Sequence, residues 1–198
     1  MVWTGREVVL LGHELVPNPG SDRPSLVRAA TFDPETEVWR RLPDSEILGG
    51  FEYWEWSGGR VVNAVPPTSD GGQVNNYGRH YPHGGMLDPA TGEWFGLPEG
   101  VPANGGCADD GTGFDSHPGP FAAGPNIVVN KGLALHVSQA RWEAVPCNAP
   151  RANAKFASTW AFDGLVTFGG YESRGAPPGQ LPTDYEFNND TWIWRPGT

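Results

Sequence analysis

Phe32-Asp33-Pro34-Glu35-Thr36-Glu37-Val38-Trp39-Arg40-Arg41-Leu42-Pro43 lies without a gap over Leu87-Asp88-Pro89-Ala90-Thr91-Gly92-Glu93-Trp94-Phe95-Gly96-Leu97-Pro98, 55 residues further on, with six of twelve positions identical. The same frame fits Leu135-His136-Val137-Ser138-Gln139-Ala140-Arg141-Trp142-Glu143-Ala144-Val145-Pro146. There the aliphatic residue, the tryptophan seven places later and the closing proline recur, while Asp-Pro is lost. In Asp33-Pro34-Glu35-Thr36 and Asp88-Pro89-Ala90-Thr91 the proline presets φ near about −65° at the second turn position, and the aspartate can accept backbone N–H groups ahead of it. Each copy is therefore expected to be a tight β-hairpin.

A second element repeats upstream of each copy. Trp3-Thr4-Gly5-Arg6-Glu7-Val8-Val9-Leu10-Leu11-Gly12 matches Trp160-Ala161-Phe162-Asp163-Gly164-Leu165-Val166-Thr167-Phe168-Gly169 at an offset of 157. Trp56-Ser57-Gly58-Gly59-Arg60-Val61-Val62 and, less clearly, Gly124-Pro125-Asn126-Ile127-Val128-Val129 are the middle copies. Short β-branched and aromatic runs separated by turn signals read as strands, about four to a unit. A sheet that small cannot bury both faces alone, so units are expected to stack face to face, and a period near 50 residues of this kind points to a propeller. The alternative is a plain β-sandwich, in which those offsets would be coincidence.

Composition agrees with a folded, turn-rich, all-β chain. Gly 28 and Pro 20 make up just under a quarter of the 198 residues, yet nine Trp and nine Phe supply apolar bulk that disordered chains lack. The longest stretches free of Gly and Pro are thirteen residues, too short for a membrane-spanning helix or a helical bundle. The formal charge of −10 opposes a phosphate backbone, so no nucleic-acid partner is expected. No basic stretch followed by an apolar run opens the chain, so a signal peptide is not expected and localisation stays open.

The repeated residues resemble the kelch-repeat β-propellers, whose signature is a Gly-Gly pair closing the second strand, an aromatic on the third and a Trp on the fourth. Trp160 with Gly169-Gly170, and Trp3, Gly12, Phe32 and Trp39, carry the likeness best. Ala64-Val65 and Asn130-Lys131 stand where the diglycine belongs in the second and third units. The resemblance implies one propeller domain over 1–198 with blades at about 1–45, 50–98, 118–146 and 155–198. Trp194-Arg195-Pro196-Gly197-Thr198 falls where Phe32 to Thr36 does, and Met1-Val2-Trp3 is only the tail of an innermost strand. A partial ring with sticky end blades, prone to self-association, is the resulting expectation.

Seven tryptophans sit on repeat positions (Trp3, Trp39, Trp56, Trp94, Trp142, Trp160, Trp194), and Trp54 and Trp192 share strand faces with Trp56 and Trp194. All nine are assigned to packing between blades. The long connections (His13 to Pro24, Pro66 to His83, Glu99 to Pro120, Tyr171 to Asn189) are expected on one propeller face and hold four of the five tyrosines. Tyr77, Arg79, His80, Tyr81, His83, Tyr171 and Tyr185, with His117 and Arg174 nearby, are the candidate binding residues for a protein, peptide or glycan.

Catalytic candidates are weaker. His80 and His83, with nearby tyrosines, are similar in residue type alone to the copper ligands of galactose oxidase, a kelch-fold enzyme; Asp109 to Asp115 misses the EF-hand pattern. No nucleophile elbow or phosphate loop occurs, so no catalytic residue, metal or cofactor is assigned. A noncatalytic binding module is the favoured reading, and a galactose oxidase-like oxidase, a sugar-processing enzyme or an inactive fragment of one is the alternative. Cys107 and Cys147 form no CxxC; as a pair in consecutive blade connections they are a candidate disulfide, which would favour an extracytoplasmic location.

Overall fold

The Asp-Pro turns close through the aspartate. In the computed structural model, which describes residues 1–14, 26–47, 54–65, 84–102, 121–130, 132–146, 157–169, 171–173, 185–187 and 189–197, Asp33 Oδ1 accepts the N–H groups of Glu35 at 2.9 Å and Thr36 at 3.3 Å. Asp88 Oδ1 accepts those of Ala90 at 2.8 Å and Thr91 at 3.3 Å. Each turn then leaves through one left-handed residue at the same place in every copy: Glu37 (φ 57°), Gly92 (φ 79°) and Ala140 (φ 47°). The third copy has His136 in place of the aspartate, and the role passes to a neighbouring hairpin. Asn126 Oδ1 accepts the Ser138 N–H at 3.0 Å, and the Asn126 carbonyl accepts the Val137 N–H at 3.0 Å. Val137 stands where the other copies have proline, which has no N–H to give.

Strands account for all the regular structure among the described residues. Two compact units divide the chain, Met1–Glu99 and Gly100–Thr198. In the first unit β1 (Val2–Trp3), β2 (Val8–Glu14), β3 (Leu26–Asp33) and β4 (Val38–Arg41) form one antiparallel sheet in that order. A second sheet follows with β5 (Glu55–Ser57), β6 (Arg60–Asn63), β7 (Gly85–Asp88) and β8 (Glu93–Phe95), again in chain order.

In the second unit β9 (Phe121–Gly124), β10 (Ile127–Asn130), β11 (Leu133–His136) and β12 (Arg141–Ala144) form the third sheet. The fourth holds β13 (Ala157–Ala161), β14 (Gly164–Phe168) and β17 (Thr191–Trp194), with a two-stranded ribbon, β15 (Tyr171–Ser173) and β16 (Tyr185–Phe187), inserted before β17. Strands of an immunoglobulin-type sandwich would cross between sheets; here each sheet is a simple meander, as a propeller blade is.

One ladder row recurs in every sheet. Trp3, Val8, Phe32 and Trp39 pair across the first sheet, and Trp56, Val61, Leu87 and Trp94 across the second. Ala123, Val128, Leu135 and Trp142 do so in the third, and Trp160, Leu165 and Trp194 in the fourth. Because strand side chains alternate, this row defines a row face and an opposite back face in each sheet. Within each unit the back face of one sheet packs on the row face of the next. Val2, Val9, Ala29 and Leu42 meet Val61 and Leu87, flanked by Trp54, Trp56 and Trp94. Ala122, Ile127, Val129, Ala134 and Val145 meet Leu165 and Trp194, flanked by Trp160 and Trp192.

Polar bonds seal both stacks. Arg40 donates to the Pro89 carbonyl at 2.6 Å and Trp94 Nε1 to the Pro43 carbonyl at 2.8 Å. In the second unit Glu143, which occupies the repeat position of Arg40, accepts the Gly197 N–H at 3.1 Å. Close approach also dictates a glycine: a Cβ on Gly124 would lie 2.4 Å from the Trp160 ring. The expectation that all nine tryptophans are packed between blades fails at two of them. Trp3 and Trp39 are 53% and 58% exposed; among the described residues of this unit the second sheet packs on the back face of the first and not on its row face.

A charge-reversed pair marks the hairpin end of the first and fourth sheets. Arg6 faces Asp33 at 3.6 Å in the first. At the equivalent positions of the fourth, Asp163 faces Arg195 at 2.9 Å and 3.0 Å.

Candidate functional site

Antiparallel order puts the β1–β2 and β3–β4 turns at one end of a sheet and the β2–β3 connection at the other; the second and third sheets repeat that geometry, and the three-stranded fourth keeps its first turn and its β14–β17 connection. At the first end the turns are short: two residues each join β5 to β6 (58–59), β9 to β10 (125–126) and β13 to β14 (162–163), and four residues each make the others. At the second end β2 and β3 are joined in sequence through 15–25 and β6 and β7 through 64–84, while 131–132 alone join β10 to β11. The ribbon of β15 and β16 belongs to this second end of the fourth sheet, between β14 and β17.

Two candidate binding residues fall in that ribbon. Its ladder pairs Tyr171 with Phe187 and Ser173 with Tyr185, so both tyrosines occupy one register face, and Glu172 and Glu186 the other. Tyr77, Arg79, His80, Tyr81 and His83 lie outside the described residues, as do His117, Arg174, the Asp109 to Asp115 stretch, Cys107 and Cys147.

The sequence reading missed one polar cluster, at the hairpin end of the third sheet. His136, buried, bonds Glu143 Oε2 at 2.8 Å through Nε2, and Arg141 reaches the same imidazole nitrogen at 3.1 Å and the same carboxylate at 3.4 Å. An open cleft of about 490 Å³ lies beside it, lined by Gln139, Arg141, Glu143 and Gly197. Burial pulls the Glu143 carboxyl upward, but the Gly197 N–H, His136 and Arg141 together outweigh it and hold the group below the usual carboxylate range. Both carboxylate oxygens are thus engaged, one by Gly197 in the segment that follows β17 and one by His136 and Arg141.

A carboxylate so occupied is a poor general base, and none of the described residues that line the cleft is a Ser, Thr or Cys; the cluster clasps the fourth sheet to the third as Arg40 clasps the second to the first. The repeat alignment carried the signal for it. His136 replaces Asp33 and Asp88, and Glu143 replaces Arg40, so two departures coincide in one copy.

Among the described residues no three His, Cys, Asp or Glu side chains converge as a metal site, and no helix is long and apolar enough to cross a membrane. No known protein family matches the sequence, and no curated protein does. Among solved structures, that of YjhT aligns with a TM-score of 0.43 at 13% identity, over 97% of this chain and 66% of that one. The chain therefore spans a little under two thirds of that protein's length.

Proposed function

We propose that this chain is a noncatalytic binding module of kelch-like design, which takes a protein, peptide or glycan on the end of its sheets where the long connections emerge. The observation that supports it most is the asymmetry of those connections. Turns of two to four residues at one end contrast with the connections through 15–25 and 64–84 and the inserted ribbon at the other, where the third sheet alone keeps a two-residue connection, 131–132. Function on a rigid scaffold concentrates in such long connections. Tyr77 and Tyr81 fall in the sequence between β6 and β7, and Tyr171 and Tyr185 in the ribbon between β14 and β17, while seven of nine tryptophans stay in the repeated row. Tyrosine offers flat apolar area with a polar tip at little rotamer cost, which suits a contact surface.

A glycan array and a pull-down supply the ligand, and Tyr81→Ala and Tyr171→Ala then test the face. Each anchor is expected to cost about 1–3 kcal/mol of binding with the unfolding midpoint nearly unchanged. Parental binding by both variants, with binding abolished by Glu35→Ala at a hairpin turn, would place the site at the wrong end.

A further inference from the structure

The interface built twice inside the chain has both of its halves present once more, uncovered. In the second, third and fourth sheets the row positions are buried: Val61 and Leu87, Val128 and Leu135, Leu165 and Trp194. Their equivalents in the first sheet, Val8 and Phe32, are only half-buried, and Trp3 and Trp39 at the ends of the row are more than half exposed. The back face repeats the pattern at the other end. Val9, Val62 and Val129 are buried where Val166 is not; Thr31, Met86 and Ala134 are buried where Ile193 is 49% exposed; Ala64 is buried where Phe168 is 53% exposed.

Both open faces have the chemistry of a covered one. Leu10 and Ala30 extend the first, beside Trp3, Val8, Phe32 and Trp39, before Arg28 and Arg41 are reached. Ala161, Thr159, Val166, Phe168 and Ile193 make up the second without a formal charge. A solvated sheet face alternates toward polar residues, and contiguous apolar patches mark interaction surfaces.

We propose that the row face of the first sheet receives the back face of the fourth sheet of a second copy of this chain, head to tail. The occupant follows from the repeat. Back face onto row face is the packing that joins the first sheet to the second and the third to the fourth, and the uncovered back face that fits is carried by the same chain in equal number. Such a contact is heterologous: each copy offers both halves, so association continues until a ring closes or a filament grows. This assembly is independent of the binding reading above, because it uses sheet faces and leaves the long connections free.

Sedimentation of the full chain from about 1 to 50 micromolar, the range in which exposed apolar surfaces associate, is expected to show species larger than monomer that grow with concentration. Trp39→Glu blocks one half of the contact and Phe168→Glu the other. Each is expected to weaken association at least tenfold while keeping its β-sheet circular dichroism. Mixed, they are expected to form a 1:1 dimer and nothing larger, since one intact row face then meets one intact back face. Trp39→Ser and Phe168→Ser serve the same test if either glutamate variant fails to fold.

Three results overturn the proposal: a monomer throughout the range, association insensitive to Phe168→Glu, or a mixture that stays monomeric. A monomer whose Trp3 and Trp39 fluorescence resists acrylamide quenching would put the occupant within the same chain and likewise sink the second copy.

Discussion

At the residue scale the repeat supplies its own controls. Glu37, Gly92 and Ala140 share one left-handed position, where a side chain costs energy that glycine avoids. Glu37→Gly and Ala140→Gly are each expected to stabilise by roughly 0.5–1 kcal/mol in denaturant titrations, less whatever the freer unfolded chain takes back. Gly92→Ala is expected to destabilise by at least about 1 kcal/mol, because its Cβ would also fall 2.7 Å from Pro43 Cδ. Two carboxyls set opposite pH trends. Glu143 is held low, so its contribution is complete above the ordinary glutamate value of about 4.3 and is lost as pH falls through the depressed one. Glu55 is raised by burial, so it weakens the fold as pH rises through its folded value. Glu143→Gln should therefore lower the unfolding free energy at pH 7 more than at pH 3, while Glu55→Gln should raise it at pH 7 by under about 1 kcal/mol.

At the scale of elements, Gly124 on β9 has no side chain because the Trp160 indole occupies that space. Gly124→Ala is expected to cost about 1–3 kcal/mol by overpacking and to shift the tryptophan emission of the folded protein. Most of the elements were legible beforehand, since the Phe32 and Leu87 frames carry both hairpin chemistry and period-two alternation, and tryptophans mark the repeated row. The third copy was harder to read. Its turn depends on Asn126, twelve residues before Ser138, a contact that sequence spacing does not announce. The exposure of Trp3 and Trp39 was equally hidden, because a strand's pattern shows which side is apolar and not whether another sheet covers it. The candidate site was legible only as a class of segment. Loop residues obey no period, so their mutual geometry cannot be inferred from order along the chain.

For the molecule as a whole, the proposed Cys107–Cys147 bridge would lie within the second unit and close a separation of 40 residues. In the chain-entropy picture it would contribute roughly 3–4 kcal/mol. Unreduced protein is expected to show no reactive thiol on titration, and a reductant to lower the unfolding midpoint; two titratable thiols in the unreduced state would exclude the bridge. A bridge present on purification would favour an oxidising compartment outside the cytoplasm.

The reversed pairs, Arg6 with Asp33 and Asp163 with Arg195, bear on how a chain of near-copies avoids folding in the wrong order. Similar hairpins can trade partners during folding, and exchanging β1–β2 for β13–β14 would keep almost every apolar contact of the row. It would also set Asp163 against Asp33 and Arg6 against Arg195. Asp163 and Arg195 are both exposed, and Arg6 is exposed although Asp33 is buried, so screening by solvent leaves the pairs little weight in the stability of the finished fold. Their value lies in the mistakes they penalise: opposite polarity at matching sites tells the first sheet from the fourth, and a hairpin exchanged between those two meets its own sign.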